Sequence, residues 1–140
     1  DFITEQQTAF FEELMALGFT QPSEPGWLTR SLYHPDLLMA VQVVSGSLMD
    51  GKADPARIQV IEVEAGASLR VIPVEDLIAD RMAQALDGRR IRKDMQNQAV
   101  RLFQLAEGLD KDYLDARIRT ETGSDASLAT LSDWVTECRP

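Results

Sequence analysis

The chain is poor in the residues from which most recognisable active sites are made. Its 140 residues include one cysteine and one histidine. Cys138 has no internal disulfide partner and makes a poor half of a Cys–His couple. A reducing compartment, and hence a cytoplasmic protein, is expected. A zinc site lacks its thiolate and imidazole ligands, so a metal here would be a hard ion such as magnesium, held by carboxylates. No G-x-S-x-G, phosphate-loop or dinucleotide fingerprint occurs. His34, next to Pro35, reads as a turn residue. No apolar run approaches the roughly 20 residues that cross a bilayer, no stretch reads as a signal peptide, and there are no repeats. Basic residues are scarce too. Lys and Arg number 14 against 23 Asp and Glu, giving a net charge of -9. That balance argues against a membrane surface or a broad grip on nucleic acid, but leaves room for a small basic pocket.

What is present is ordinary for a folded domain: 44% hydrophobic and 26% charged residues. Strand-like segments surround one helix up to residue 72, and helical periodicity dominates from Pro73. The expected architecture is α+β, a small mixed-sheet unit (1–72) followed by a helical subdomain (73–140), packed as one globular unit. "DFIT" reads as a strand end and "TEQQ" as a capping box for a helix carrying Phe10, Leu14 and Leu17. Two strands, 27–35 and 36–44, meet at His34-Pro35-Asp36. In the second, Leu37, Met39, Val41 and Val43 share one face and Gln42 takes the other. "RIQVIEVEAG" and "SLRVI" form a hairpin in which Glu62 and Glu64 share a face with Val60. Val74, Leu77, Ile78, Met82, Ala85 and Leu86 define one helical stripe, ended by Asp87-Gly88. Ile91, Met95, Ala99 and Leu102 begin a second. A third helix carries Leu114 and Ile118. A fourth, capped by Ser124 or Asp125, carries Leu131 and Trp134, a core or oligomer contact.

The succession "DFIT", "YHP", "GSL", "SLRVIPVEDLIADRM" and "NQAV" resembles the small nucleotidyltransferase-superfamily proteins of bacteria, some of which belong to toxin–antitoxin or abortive-infection modules. The resemblance covers almost the whole chain through short motifs, of which residues 69–86 with "DMQNQA" at 94–99 are the most distinctive. It implies an Asp-x-Asp pair holding magnesium on a nucleoside triphosphate. Asp1 would be the second member, both catalytic and metal-binding, with its partner two residues upstream of this sequence. Residues i and i+2 of a strand project to one face, so two such oxygens can share an ion. The other reading of Asp1 is a frayed end. The third carboxylate of the pattern falls near Gln42, which is neutral. An amide oxygen can coordinate a metal but supplies no charge, so Glu62 or Glu64 would have to substitute.

Arg81 borders the apolar stripe of its helix. It is a candidate phosphate ligand, the alternative being an ion pair between subdomains. Glu75 and Asp76 fall in the first helical turn, where carboxylates complement the dipole, and need no function. Arg30 is a second phosphate candidate, and Asp94 with Gln98, one turn on, would join Gln42 and Arg81 at the nucleotide. Arg89, Arg90, Arg92 and Lys93 stand at the start of a helix, where the dipole disfavours cations. They are candidate anion ligands or a solvated turn neutralised by Asp87 and Asp94. Three functions follow as expectations. One is magnesium-dependent nucleotide binding and nucleotidyl transfer to a protein or RNA hydroxyl. The second is a catalytically degenerate nucleotide-binding or protein-interaction module, one half of a toxin–antitoxin pair. The third, resting on residues 89–93 alone, is a nucleic-acid-binding regulator. The first needs Asp1, Gln42 and Arg81 to face one cleft.

Overall fold

A computed structural model describes residues 2–21 and 31–138. The architecture is α+β, and the chain divides into two compact units, Asp1–Ala53 and Asp54–Pro140. The hairpin grouped by its sequence pattern with the first unit is thus counted, by its contacts, with the second.

In the first unit, β1 (Phe2–Ile3) leads to α1 (Gln7–Ala16), then β2 (Ser31–His34) and β3 (Met39–Ser45). The sheet order is β1-β3-β2, with β1 parallel and β2 antiparallel to β3. Alternation along β3 turns Val41 and Val43 inward; Val41 packs with Phe19 and Leu32 against Phe10, Phe11 and Leu14. Gln42, opposite Ser31 across the ladder, takes the other side and is half-buried. The capping box forms differently from its sequence reading. The Thr4 hydroxyl accepts from the Gln6 N–H at 3.0 Å, and Gln6 itself is the N-cap, without a side-chain cap. Thr4 therefore makes a local turn before the helix. After α1, Gly18 adopts φ +95°, and a Cβ there would sit 3.0 Å from His34 Nε2. His34 is more than a turn residue: Nδ1 accepts from Leu37 N–H at 3.3 Å and Nε2 lies 3.1 Å from the Leu17 carbonyl. With Nδ1 accepting, Nε2 carries the proton and donates.

In the second unit, β4 (Gln59–Glu64) and β5 (Ala67–Val71) form an antiparallel two-stranded sheet, followed by α2 (Val74–Leu86), α3 (Lys93–Leu105), α4 (Lys111–Glu121) and α5 (Leu128–Glu137). α2 packs on α3 and α4, and α5 packs on both. Ile78, Ala79, Met82 and Ala85 of α2 meet Ala99 and Val100 of α3, Leu114 and Ile118 of α4, and Leu131 and Trp134 of α5. Alanine at three buried positions lets the helix axes approach, while the larger side chains fill the gaps between them. Pro73 caps α2, and Asp87-Gly88 ends it, with Gly88 at φ +131°. The cap of α5 is Ser127, in a reciprocal box with Thr130, rather than Ser124 or Asp125. Ser124 instead lies at φ 71°, in the turn that closes α4.

Candidate functional site: a buried ionic centre and an exposed hairpin

The first turn of α2 does not serve only to complement the helix dipole. Asp76 has no exposed surface, and Arg117 of α4 is 3% exposed. Arg117 Nε donates to Asp76 Oδ1 at 2.5 Å and its Nη2 to Glu121 Oε1 at 2.5 Å. The Tyr113 hydroxyl lies 3.1 Å from each Asp76 oxygen and accepts from the Asp54 N–H at 3.3 Å. Tyr113, Arg117 and Glu121 recur every fourth residue, so α4 presents them along one line beside Leu114 and Ile118. Burial opposes the charge of Arg117, but hydrogen bonds to Asp76 and Glu121 outweigh it and hold the guanidinium pKa above its usual value. Desolvation, then the neighbouring Asp76 charge, raises the Tyr113 pKa. Arg117 Nη1 is buried without a hydrogen-bond partner.

A second layer ties the start of the unit to this centre. Arg57 lies 4.0 Å over the Tyr113 ring and donates through Nη2 to Asp110 Oδ2 at 2.9 Å. Asp110 caps α4 by accepting from the Tyr113 N–H at 3.0 Å, and its own N–H donates to Glu75 Oε1 at 3.1 Å. The Tyr113 N–H first, and Arg57 next, hold the Asp110 carboxyl below the usual carboxylate range. Asp54 to Arg57 are thus fastened to the helices, which is why the second unit begins there rather than at Pro73. A further tertiary cap joins α4 to α5, Asp115 Oδ1 accepting from the Leu128 N–H at 2.7 Å.

Of the residues singled out from the sequence, Gln42 belongs to the first unit and Arg81, Asp94, Gln98 and the 89–93 cluster to the second, and several of them are already engaged. Asp1 and Arg30 lie outside the described residues. Arg81 Nη1 pairs with Asp80 Oδ2 at 2.9 Å, and Gln84 Nε2 donates to the same oxygen at 2.7 Å. Arg92, the N-cap of α3, pairs with Asp94 at 3.2 Å, and Lys93 Nζ donates to Gln96 Oε1 at 2.8 Å. Burial opposes the Asp94 charge, yet the Met95 N–H and Arg92 hold its carboxyl below the usual range. Arg89, Arg90 and Gln98 are exposed, the two arginines in the turn before α3 rather than within it. A cavity of about 390 Å³ beside the C-terminal ends of α2 and α4 is lined by Ala83, Gln84, Leu86, Asp87, Glu121, Thr122 and Asp125. Three carboxylates and no cation make a lining unsuited to phosphate. Among the described residues, no three His, Cys, Asp or Glu side chains are grouped to hold a metal ion. Gln42, at the position of the expected third carboxylate, offers only a neutral oxygen.

The hairpin is the conspicuous surface feature. Every residue of β4 and β5 is exposed. Ile61 lies opposite Leu69, and Gln59 opposite Val71, so Ile61, Leu69 and Val71 share a face at 46%, 51% and 37% exposure. Val60 opposite Arg70 and Glu62 opposite Ser68 make up the other face. An extra residue, Val63, bulges β4 and brings Glu64 opposite Ala67. Glu64 therefore moves to the face of Ile61. The two glutamates that strict alternation sets side by side are separated, and cannot share an ion as a pair.

Comparison with protein-family models, with curated proteins and with solved structures gives no match.

Proposed function

We propose that the chain is a protein-interaction module on a nucleotidyltransferase-like frame, catalytically degenerate, acting as one half of a toxin–antitoxin pair. One observation carries this reading: an amphipathic hairpin, with Ile61, Leu69 and Val71 exposed on one face, stands on a helical unit fastened by the buried Asp76–Arg117 pair. A hairpin alone in water is marginal, and an apolar sheet face without cover marks a contact surface. Two further observations agree with it. Arg81, Arg92 and Lys93 already have partners on their own helices or beside them, and β3 offers Gln42 where transfer chemistry wants an acid. The test is hydrogen exchange of amides 59–71 with and without the protein encoded as its pair. Protection of the hairpin, lost together with binding in Ile61→Asp, is the expected result. Magnesium-dependent nucleotidyl transfer that persists in Ile61→Asp would refute it.

Nucleotidyl transfer keeps one observation in its favour. Residues 69–86 run from a strand through Pro73 into an acid-rich helix, an order compatible with it. Magnesium-dependent binding of a nucleoside triphosphate, abolished by Arg81→Ala, would establish that reading instead.

A further inference from the structure

The two edges of the hairpin differ in a way that selects what can pair with them. β4 carries the Val63 bulge and two glutamates. Bulges and charges of this kind blunt a strand edge against addition. β5 lacks the bulge and has fewer charges. Its five residues, ASLRV, run without a bulge, with Arg70 as the single charge. Its outer edge has no ladder partner among the described residues, since the sheet holds β4 and β5 alone.

From this asymmetry we infer that β5 is a self-association edge, and that its occupant is β5 of a second copy of this chain, paired antiparallel about a two-fold axis at Leu69. The inference rests on the hairpin being the interaction surface and goes further by naming what pairs with its free edge; the apolar face of the sheet stays open to the paired protein.

The register is self-complementary. A two-fold axis at Leu69 sets Leu69 against Leu69, Ala67 against Val71 and Ser68 against Arg70 of the other copy. One face of the resulting four-stranded sheet gains a continuous apolar row, Ile61–Leu69–Leu69–Ile61, because Ile61 already lies opposite Leu69. The other face gains a charge match. Glu62 lies opposite Ser68 within the chain, so the order across the sheet becomes Glu62, Ser68, then Arg70 of the second copy. Strands about 4.8 Å apart put that arginine two spacings from Glu62, with only a serine between, a gap that two long side chains span. Symmetry makes this match twice, and no like charges stand opposite. An isologous two-fold contact requires this self-complementarity. Four strands with an apolar face also satisfy what two strands alone do not. Five residues a side is a small contact, so the dimer is concentration-dependent rather than obligate.

Ser68→Lys separates edge pairing from hairpin stability. Within the chain the new ammonium faces Glu62, which favours the hairpin; across the edge it faces Arg70 of the second copy, which opposes the dimer. Sedimentation equilibrium over a concentration series should show a wild-type monomer–dimer equilibrium. In Ser68→Lys the dissociation constant should rise about tenfold, with helical content unchanged and with the melting temperature, taken at dilution where both proteins are monomeric, unchanged or improved. Arg70→Glu should weaken the dimer as well, and Glu62→Arg combined with Arg70→Glu should recover it. A wild-type chain monomeric throughout, or a dimer indifferent to Ser68→Lys, overturns the inference. A monomeric chain whose amides 59–71 are protected by the paired protein overturns self-pairing while leaving the interaction reading standing. With neither dimer nor protection, both are lost.

Discussion

Arg117 Nε meets Asp76 Oδ1 at 2.5 Å across the packed α2 and α4 helices, and water reaches almost none of either side chain. Two charges taken out of water cost more than their attraction returns, unless every remaining donor and acceptor is engaged. Here Tyr113 and Glu121 engage most of them, and Arg117 Nη1 is left over.

Breaking this pair from one side should therefore hurt more than removing it whole. Asp76→Ala leaves the Arg117 charge buried against Glu121 alone and should cost about 3–5 kcal/mol. The double substitution Asp76→Leu with Arg117→Met should recover much of that loss. Urea denaturation followed by helical circular dichroism measures both. Equal losses in the single and double variants would mean that the pair does not act as a unit.

Tyr113→Phe removes the hydroxyl that touches Asp76 and the Asp54 N–H but keeps the ring under Arg57. A loss of about 1–3 kcal/mol is expected, since one acceptor oxygen and one amide each lose a partner. Exchange of the Asp54 amide should quicken in this variant. An unchanged rate would remove Tyr113 from the tie between segment 54–57 and the helices.

Acid should loosen the second unit through its helix caps. The Leu128 N–H first, and Arg119 next, hold the Asp115 carboxyl below its usual range, and Asp110 is lowered in the same way. For a depressed carboxyl the unfolded chain binds more protons, so stability rises with pH. The contribution is complete above the unfolded value of about 3.9 and disappears as pH falls through the lower folded values. Denaturation midpoints measured from pH 2 to 6 should fall toward the acid end. The fall should be shallower in Asp110→Asn and Asp115→Asn. Curves parallel to wild type would show that these caps do not set the acid limit.

Gly18 tests the first unit separately. Its φ of +95° disfavours any side chain, and a Cβ would press on His34 Nε2 at 3.0 Å. Gly18→Ala should cost about 1–3 kcal/mol and speed exchange of the Tyr33 amide, which donates to the Thr20 carbonyl at 2.9 Å. Amides of α4 report the second unit and provide the comparison.

Arg81→Ala should change stability by at most about 1 kcal/mol, because its partner Asp80 lies on the same helix and both are partly solvated. On the interaction reading, hairpin binding survives this substitution unchanged. A lost interaction would place Arg81 at the contact.

Much of the fold is legible from residue order. The stripe Ile78, Met82 and Ala85 places α2, Asp87-Gly88 ends it, and the segments "RIQVIEVEAG" and "SLRVI" give the hairpin. What failed was the assignment of faces. The apolar stripe of α2 runs through Val74, Leu77, Ile78, Met82, Ala85 and Leu86, whereas the buried side also takes in Glu75, Asp76 and Ala79. The signal that would have exposed this lies elsewhere, in Tyr113, Arg117 and Glu121 at four-residue steps flanking Leu114 and Ile118. On a helix whose apolar stripe is that narrow, an arginine beside it is drawn under cover. The Val63 bulge has no comparable mark, and it moved Glu64 to the opposite face from that set by alternation.

Local sequence decided where helices and strands begin and end, because capping, backbone freedom at glycine and side-chain period act within a few residues. It also set the overall acidity and the want of thiol and imidazole ligands. Which charges are buried, and against what, was decided by tertiary structure alone: Asp76 and Arg117 stand 41 residues apart, and only the packing of α2 on α4 brings them together. A carboxylate in the first turn of a helix is spelled the same way whether it faces water or an arginine. The difference lies in what the neighbouring helix carries, and that is a property of the folded chain.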